Sequence, residues 1–447
     1  MNLQLTGNIN PLQFQRHLEI PFTVPPDLAY LTINFEYTPA ETDGFNNLLT
    51  LTIFDPTGWR GEGHRHAPRQ QINLSAAQAT PGYLPGALPP GHWLLVINTH
   101  MVLEPITYHL TILEAAGDTE GTAPVWKSRR MTPPGPGWYR GDLHAHTIHS
   151  DGHWAVPDLV DYARAAGLDF VTLSDHNTIA GLAQLDSLSS NGLLTLGGVE
   201  LTTFFGHALV LGLRHMVDWR VRPGQRSMSA ICNEVTAAGG TFIIAHPHSL
   251  GNPLCTGCDW QYADMQPGPA RLVEIWNGYW DAPGDQNEKG VQQWYHWLND
   301  GWRMIATAGS DIHESPQIAA SYGRNVVYAP ERTERAILDA IRQGRLYLSQ
   351  GPHLELSGST PDGQRAVMGE TLVGHGAELT AVWSDAPADS RVCWIIDGEP
   401  QPAMFCDSAG DIHLTREQIH WAVVEMRAAD NQLLAITNPI FIGENWR

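Results

Sequence analysis

The stretch GDLHAHTIHSDG, Gly141–Gly152, places His144, His146 and His149, three of the chain's 21 histidines, beside Asp142 and Asp151. An apolar lead followed by imidazoles two positions apart suits the end of a strand, because residues i and i+2 share one face of an extended chain. A histidine-rich surface loop would account for this stretch equally well. What the neighbouring segments carry decides between the two.

Downstream, short apolar runs alternate with amphipathic segments. The runs are GDLHAH, DFVTLSDH, LLTLGGVELTT, HALVLGL, TFIIAHPH, RLVEIWNG and RMIATAGSDIH. The helical segments are VPDLVDYARAAG, AGLAQLDSLSSNG, SMSAICNEVTAAGG, NEKGVQQWYHWLNDG and TERAILDAIRQG, several of them stopping at Gly as helices do just past their last turn. This alternation predicts an α/β unit with a parallel sheet, open or closed into a barrel, over residues 138–350.

In a parallel α/β barrel the chemistry sits where the strands end. The runs place His144, His146 and Asp151, then Asp175 and His176, Glu200, His246 and His248, and Asp311 and His313 at such ends, while His207 opens the fourth run. Nine of these are candidate metal ligands: His144, His146, Asp151, His176, Glu200, His207, His246, Asp311 and His313. Mixed imidazole and carboxylate donors suit Zn, Mn, Fe or Co. Nine donors exceed what one tetrahedral ion takes, so two or three divalent ions are expected, with a carboxylate such as Glu200 able to bridge two of them. A surface loop explains the opening stretch but not the five segments that follow it.

The flanks read differently. Residues 1–120 alternate like strands between Pro/Gly turns, as in LAYLTINFEYTP and NNLLTLTIFDPTG, which predicts a β-sandwich. Residues 121–137 form a Pro/Gly-rich linker, and residues 351–447 return to a strand pattern of immunoglobulin-like size. His64 and His66, in GEGHRH, are expected in a surface loop of the first of these units, with a loop reaching over the barrel mouth as the alternative.

Composition narrows the partners. The 447-residue chain carries a net charge of −21, so a nucleic-acid backbone should repel it. No run of about 18 apolar residues is present, so no membrane span is expected. The first residues have neither a basic start nor an apolar core of signal-peptide type, which makes the cytoplasm the default compartment. Only Lys127 and Lys289 are available, which argues against a Schiff-base lysine. Five cysteines do not form a disulfide framework. Cys255-Thr-Gly-Cys258 has zinc-knuckle spacing without a second pair and reads as an ordinary loop. Oligomerisation is compatible with the sequence and not fixed by it.

The motif series DLHAHTxHSDG, SDHN, GVELT, GHALVLGL, AHPH and GSDIH resembles the PHP (polymerase and histidinol phosphatase) superfamily between about Tyr139 and Pro352. VEIWNG and YGRNVVY…AILDAIRQGRLYLSQGP look like its carbaryl-hydrolase branch, the CehA/McbA-type metallohydrolases. The resemblance implies a distorted (β/α)7 barrel with a bi- or trinuclear site. His144, His146, Glu200 and Asp311 would hold a first ion, Glu200, His207 and His246 a second, and Asp151, His176 and His313 a third. Asp175 would orient its neighbouring ligand.

Paired ions of this kind acidify a bridging water, and the resulting hydroxide attacks phosphorus or a carbonyl without a side-chain nucleophile. No G-x-S-x-G elbow or Walker loop offers an alternative. His248 and His149 are candidate general acids, Arg324 a candidate phosphate clamp, and Asn277 and Tyr279 candidate pocket walls. The expected function is hydrolysis of a small phosphomono- or phosphodiester. A carboxyl-ester, carbamate or amide hydrolase is the alternative within the enzyme class. A ligand-binding protein with a non-catalytic barrel is the alternative outside it.

Overall fold

The structure is a computed structural model that describes residues 2–114, 125, 133–222, 224–315, 322–374 and 376–447. Most of the expected linker, residues 121–124 and 126–132, falls outside that set.

Seven strands run in chain order across the central sheet: β1 (Gly137–Asp142), β2 (Phe170–Leu173), β3 (Leu194–Thr202), β4 (His207–Leu211), β5 (Thr241–Ile244), β6 (Leu272–Asn277) and β7 (Ile305–Gly309). Pairs β1/β2, β2/β3, β5/β6 and β6/β7 are parallel. The expectation of an all-parallel sheet fails at β4, which is antiparallel to both β3 and β5. The cause is connection length. Thr202 pairs directly with His207, and so short a link makes a hairpin but cannot make the crossover of a dozen or more residues that a parallel pair needs.

The two ends of the run meet beyond β1 and β7. Ala145 and Ile312 form a parallel bridge, the His146 amide donates to the Ile312 carbonyl at 2.9 Å, and the Asp311 amide donates to the His144 carbonyl at 3.0 Å. The strands β3, β5, β6 and β7 are buried along their whole length, as strands covered on both faces must be.

Helices α1 (Val156–Ala165), α2 (Leu182–Leu188), α3 (Met228–Ala237), α4 (Gln286–Asn299) and α5 (Glu334–Arg342) fall on the five amphipathic segments. The Ser227 hydroxyl caps α3 by accepting from the Ala230 amide, and Thr333 caps α5 by accepting from Ala336. Gly167 closes α1 at φ 68°, a conformation in which a side chain is disfavoured. Trp294 of α4 is fully buried and donates its indole N–H to the Met304 carbonyl at 3.0 Å. Replacing it with Ala should cost about 3–5 kcal/mol.

On the outer edge of β1, β8 (Arg324–Ala329) and β9 (Leu346–Ser349) add antiparallel, and β9 pairs in turn with Leu433–Thr437. The C-terminal strands therefore continue the central sheet. At the other end of the chain, two four-stranded antiparallel sheets enclose one apolar core that includes Ile33, Leu51, Trp93, Leu95 and Ile112. No helix among the described residues is long and apolar enough to cross a membrane. Cys255 and Cys258, read from the sequence as an ordinary loop, are joined by a disulfide: the tight loop brings their Cα atoms to 5.6 Å.

Candidate metal centre

Glu200, near the end of β3, is fully buried. Its Oε2 lies 3.1 Å from His144 Nε2, 3.3 Å from His146 Nε2 and 3.0 Å from His176 Nδ1. Its Oε1 lies 2.9 Å from His207 Nδ1 and 3.0 Å from His246 Nε2. One carboxylate is thus ringed by five imidazoles from three strand ends and one strand start. Asp311 Oδ1 adds contacts of 2.9 Å to His146 Nε2 and 3.4 Å to His144 Nε2. Asp151 lies 3.5 Å from His176 Nε2 and 3.3 Å from His313 Nε2. All nine expected ligands are brought together. His144, His146, Glu200 and Asp311 converge as one group, and His146, Asp151, His176 and His313 as another.

The donor chemistry fits cations. Burial opposes charge on Glu200 and Asp311, yet the surrounding imidazoles hold both carboxyls well below the usual carboxylate range. Burial also disfavours charge on His144 and His176, but the adjacent carboxylates hold both well above the ordinary histidine value. Burial and then the neighbouring His313 and His176 push His146 down to about 4, so this ring is neutral. Neither nitrogen of His146 makes a hydrogen bond, although Nε2 sits 2.9 Å from an Asp311 oxygen. The distance is right for a bond and the direction is not, as when two lone pairs point at a common ion. A buried unpartnered imidazole is costly unless something satisfies it. The backbone at His246 (φ 26°) and Asp311 (φ 52°) is left-handed, which costs about 1–3 kcal/mol per residue and persists where tight surroundings hold a functional side chain in place.

A cavity of about 360 Å³ opens onto seven of the nine: Asp151, His176, Glu200, His207, His246, Asp311 and His313. A second, more open groove passes Asn277, Tyr279, Asp311, His313 and Tyr322. Asn277 Nδ2 donates to Glu274 Oε2 at 3.2 Å and to Asp311 Oδ2 at 3.4 Å. Tyr279 packs against Tyr322 with ring centroids 4.9 Å apart and the rings tilted by 47°, and forms part of the groove wall. Asp175 accepts from the Thr147 amide, the Thr147 hydroxyl and the Ser150 hydroxyl, each at 2.7 Å, and so fixes the loop that leads to Asp151. Burial pushes its carboxyl up to about 6 against those bonds.

Four expectations need correction. Arg324 does not reach either cavity: its guanidinium is buried against Asp142 and also lies 3.2 Å from the Tyr162 hydroxyl. Asp142 itself accepts from the Ser310 amide at 3.0 Å and the Ser310 hydroxyl at 2.5 Å, so the pair ties β1 to the end of β7. His149 does not line either cavity at the cluster, and its Nδ1 accepts from the Gly82 amide at 3.1 Å. His248 bridges to Asp259 in a side loop and does not line the metal-facing cavity. His64 and His66 take the alternative of a loop at the barrel mouth. Both line that cavity, with His64 only 5% exposed and its ring 4.6 Å from that of His176. Docking of the N-terminal sheets against the mouth brings both there and buries His64, while His66 stays exposed, and no local sequence pattern encodes docking.

Sequence reasoning missed Glu274. Its Oε1 is 3.1 Å from His144 Nδ1, and its Oε2 accepts from the His246 amide at 3.1 Å. The signal was present: a carboxylate inside the buried strand LVEIWN must have partners, because an unpaired buried charge is prohibitively costly.

No protein-family model matches the chain. It is 28% identical over 152 residues to an uncharacterized protein, MJ1587, of Methanocaldococcus jannaschii, a match spanning 31% of this chain and 82% of that one. It is 27% identical over 111 residues to a phosphoribosyl 1,2-cyclic phosphate 1,2-diphosphodiesterase of Eggerthella lenta, spanning 24% of this chain and 39% of the relative. A crystal structure of a two-domain protein containing a predicted PHP-like metal-dependent phosphoesterase from Bacteroides vulgatus aligns with 70% of this chain and 99% of its own, at a TM-score of 0.38 and 18% identity.

Proposed function

We propose that this chain is a metal-dependent hydrolase of the PHP type that cleaves a small phosphoester at a bi- or trinuclear site. The observation that carries the proposal is the ring of five imidazoles around the buried Glu200, flanked by Asp311 and Asp151. His144, His146, Glu200 and Asp311 would hold one ion, Glu200, His207 and His246 another, and Asp151, His176 and His313 a third. The chemistry divalent ions supply in such a donor set is Lewis acidity, which acidifies water and offsets charge developing on an ester oxygen. The protein's own groups would do the positioning. Glu274 sets the His144 ring, Asp175 fixes the 147–150 loop, and Asn277 steadies Asp311. The strand order and the Ala145–Ile312 bridge support a distorted (β/α)7 barrel. The activity named for the Eggerthella lenta relative supports the phosphoester class.

A second reading has its own observation. Among the described residues, neither cavity at the cluster is lined by Lys or Arg. A dianionic phosphomonoester would normally meet such a cation, so the site favours a phosphodiester or, within the carbaryl-hydrolase branch that VEIWNG supports, an uncharged carbamate or carboxyl ester. The test is a hydrolysis panel on Mn- and Zn-loaded protein, comparing aryl phosphomonoesters, phosphodiesters, carboxyl esters and carbamates, with His144→Ala as control. Phosphoester turnover lost in the variant is expected. Turnover of carbamates or carboxyl esters alone would overturn the phosphoesterase assignment, and stoichiometric metal without any turnover would favour a non-catalytic barrel.

A further inference from the structure

We propose that Glu62, His64 and His100, all carried by the N-terminal sheets, form a separate transition-metal site in the wall beside the main cluster. Glu62 lies near the end of strand Gly58–Gly63, His64 follows it, and His100 lies near the end of strand Gly91–Met101. One donor atom from each residue falls within 4.8 Å of the others. The three are 0%, 5% and 2% exposed, so solvent does not satisfy them.

Two features set this group apart from an ordinary buried polar cluster. First, Nδ1 of His64 and Nδ1 of His100 are both buried without a hydrogen-bond partner, where native interiors pair such atoms or give them an ion. Second, the carboxylate is held from behind. Glu62 Oε2 accepts from the Thr52 hydroxyl at 2.8 Å, and Oε1 accepts from Asn177 Nδ2 at 3.2 Å. Thr50 Oγ1 lies 3.1 Å from His100 Nε2, fixing that ring while leaving Nδ1 free. Outer partners of this kind orient metal ligands in known sites.

Charge supports the same conclusion. Burial pushes the Glu62 carboxyl up to about 7, and it holds both imidazoles well below their ordinary value, with the neighbouring histidines adding to the effect. The rings are therefore neutral, with lone pairs available. Two imidazole nitrogens and one carboxylate suit Zn, Fe, Co or Ni rather than Mg or Ca, which prefer oxygen. The proposed hydrolytic reaction uses neither Glu62 nor His100, so this site goes beyond that proposal.

The test is a count of bound Co(II). Chelator-stripped full-length protein is titrated with Co(II), and equivalents are read by elemental analysis and by visible absorption, for wild type, Glu62→Gln, His100→Gln and Glu200→Gln. Glu62→Gln and His100→Gln should each bind one equivalent fewer than wild type, and lose one component of the visible spectrum, at an unchanged melting temperature. Glu200→Gln should keep that component. Equal equivalents in wild type and Glu62→Gln would overturn the site while leaving the main cluster standing. Loss of more than one equivalent in Glu62→Gln would also overturn it, because Glu62 would then belong to the main cluster. A wild type that binds no Co(II) would sink both. If His100→Gln does not fold, the isosteric Glu62→Gln decides alone.

Discussion

The imidazole rings of His64 and His176 lie 4.6 Å apart, although one comes from the N-terminal sheets and the other from the end of β2. The contact is one of several along a single seam. Asn177 Nδ2 reaches Glu62 Oε1 at 3.2 Å, the Thr178 hydroxyl donates to the Gly82 carbonyl at 2.8 Å, and the Gly82 amide donates to His149. The N-terminal unit thus builds one wall of the candidate metal centre.

Glu274 orients His144 through Nδ1 and accepts from the His246 amide. Glu274→Gln should weaken metal affinity by about 10–100-fold while the protein stays folded, as removal of such an outer partner does. Competition against a chromophoric chelator measures this. An unchanged affinity would mean that Glu274 merely satisfies a buried ring.

Arg324 and Asp142 form a buried pair, with side chains 4% and 1% exposed. Removing one partner strands the other charge, so Arg324→Ala should cost about 3–5 kcal/mol of stability in urea denaturation. A raised KM at unchanged stability would instead restore Arg324 as a substrate contact.

His149 spends its Nδ1 on the Gly82 amide, at the seam. His149→Gln should keep kcat within about threefold, whereas loss of a general acid costs about 100- to 10,000-fold. A kcat loss of that size, with the acid limb of the pH profile gone, would return His149 to the chemistry.

His17 supplies a pH signature outside the nine-ligand cluster. Burial lowers its pKa from 6.5 to about 4, against a hydrogen bond of 2.8 Å to Asn98. Between those values the unfolded chain binds a proton that the folded chain does not, so stability falls as pH drops from about 6.5 to 4. The shift corresponds to roughly 3 kcal/mol. His17→Gln should flatten that part of the stability–pH curve by up to that amount, and denaturant midpoints at pH 4.5 and 7 check it. An unchanged slope would mean that His17 titrates normally.

The ligand set was legible because its signal is local. H-x-H at 144 and 146 and D-x-H at 311 and 313 share the two-residue period of a strand, and each falls where an apolar run ends. The helices were legible for the same reason. The direction of β4 could have been inferred from the short link between Thr202 and His207, and Glu274 from its apolar neighbours. Other features leave no local trace. Nothing near Arg324 in the chain points to Asp142, and nothing in GEGHRH points to His176.

Sequence alone determined which residues could bind metal and which segments would be strand or helix, because side-chain chemistry and backbone periodicity are set within a few residues. Tertiary structure decided which partner each candidate meets. It turned Arg324 inward to a structural ion pair, locked His149 into a seam, and brought His64 and His66 to the mouth. Those outcomes depend on burial and on Coulomb interaction between groups far apart in the chain, and both exist only once the sheets have packed.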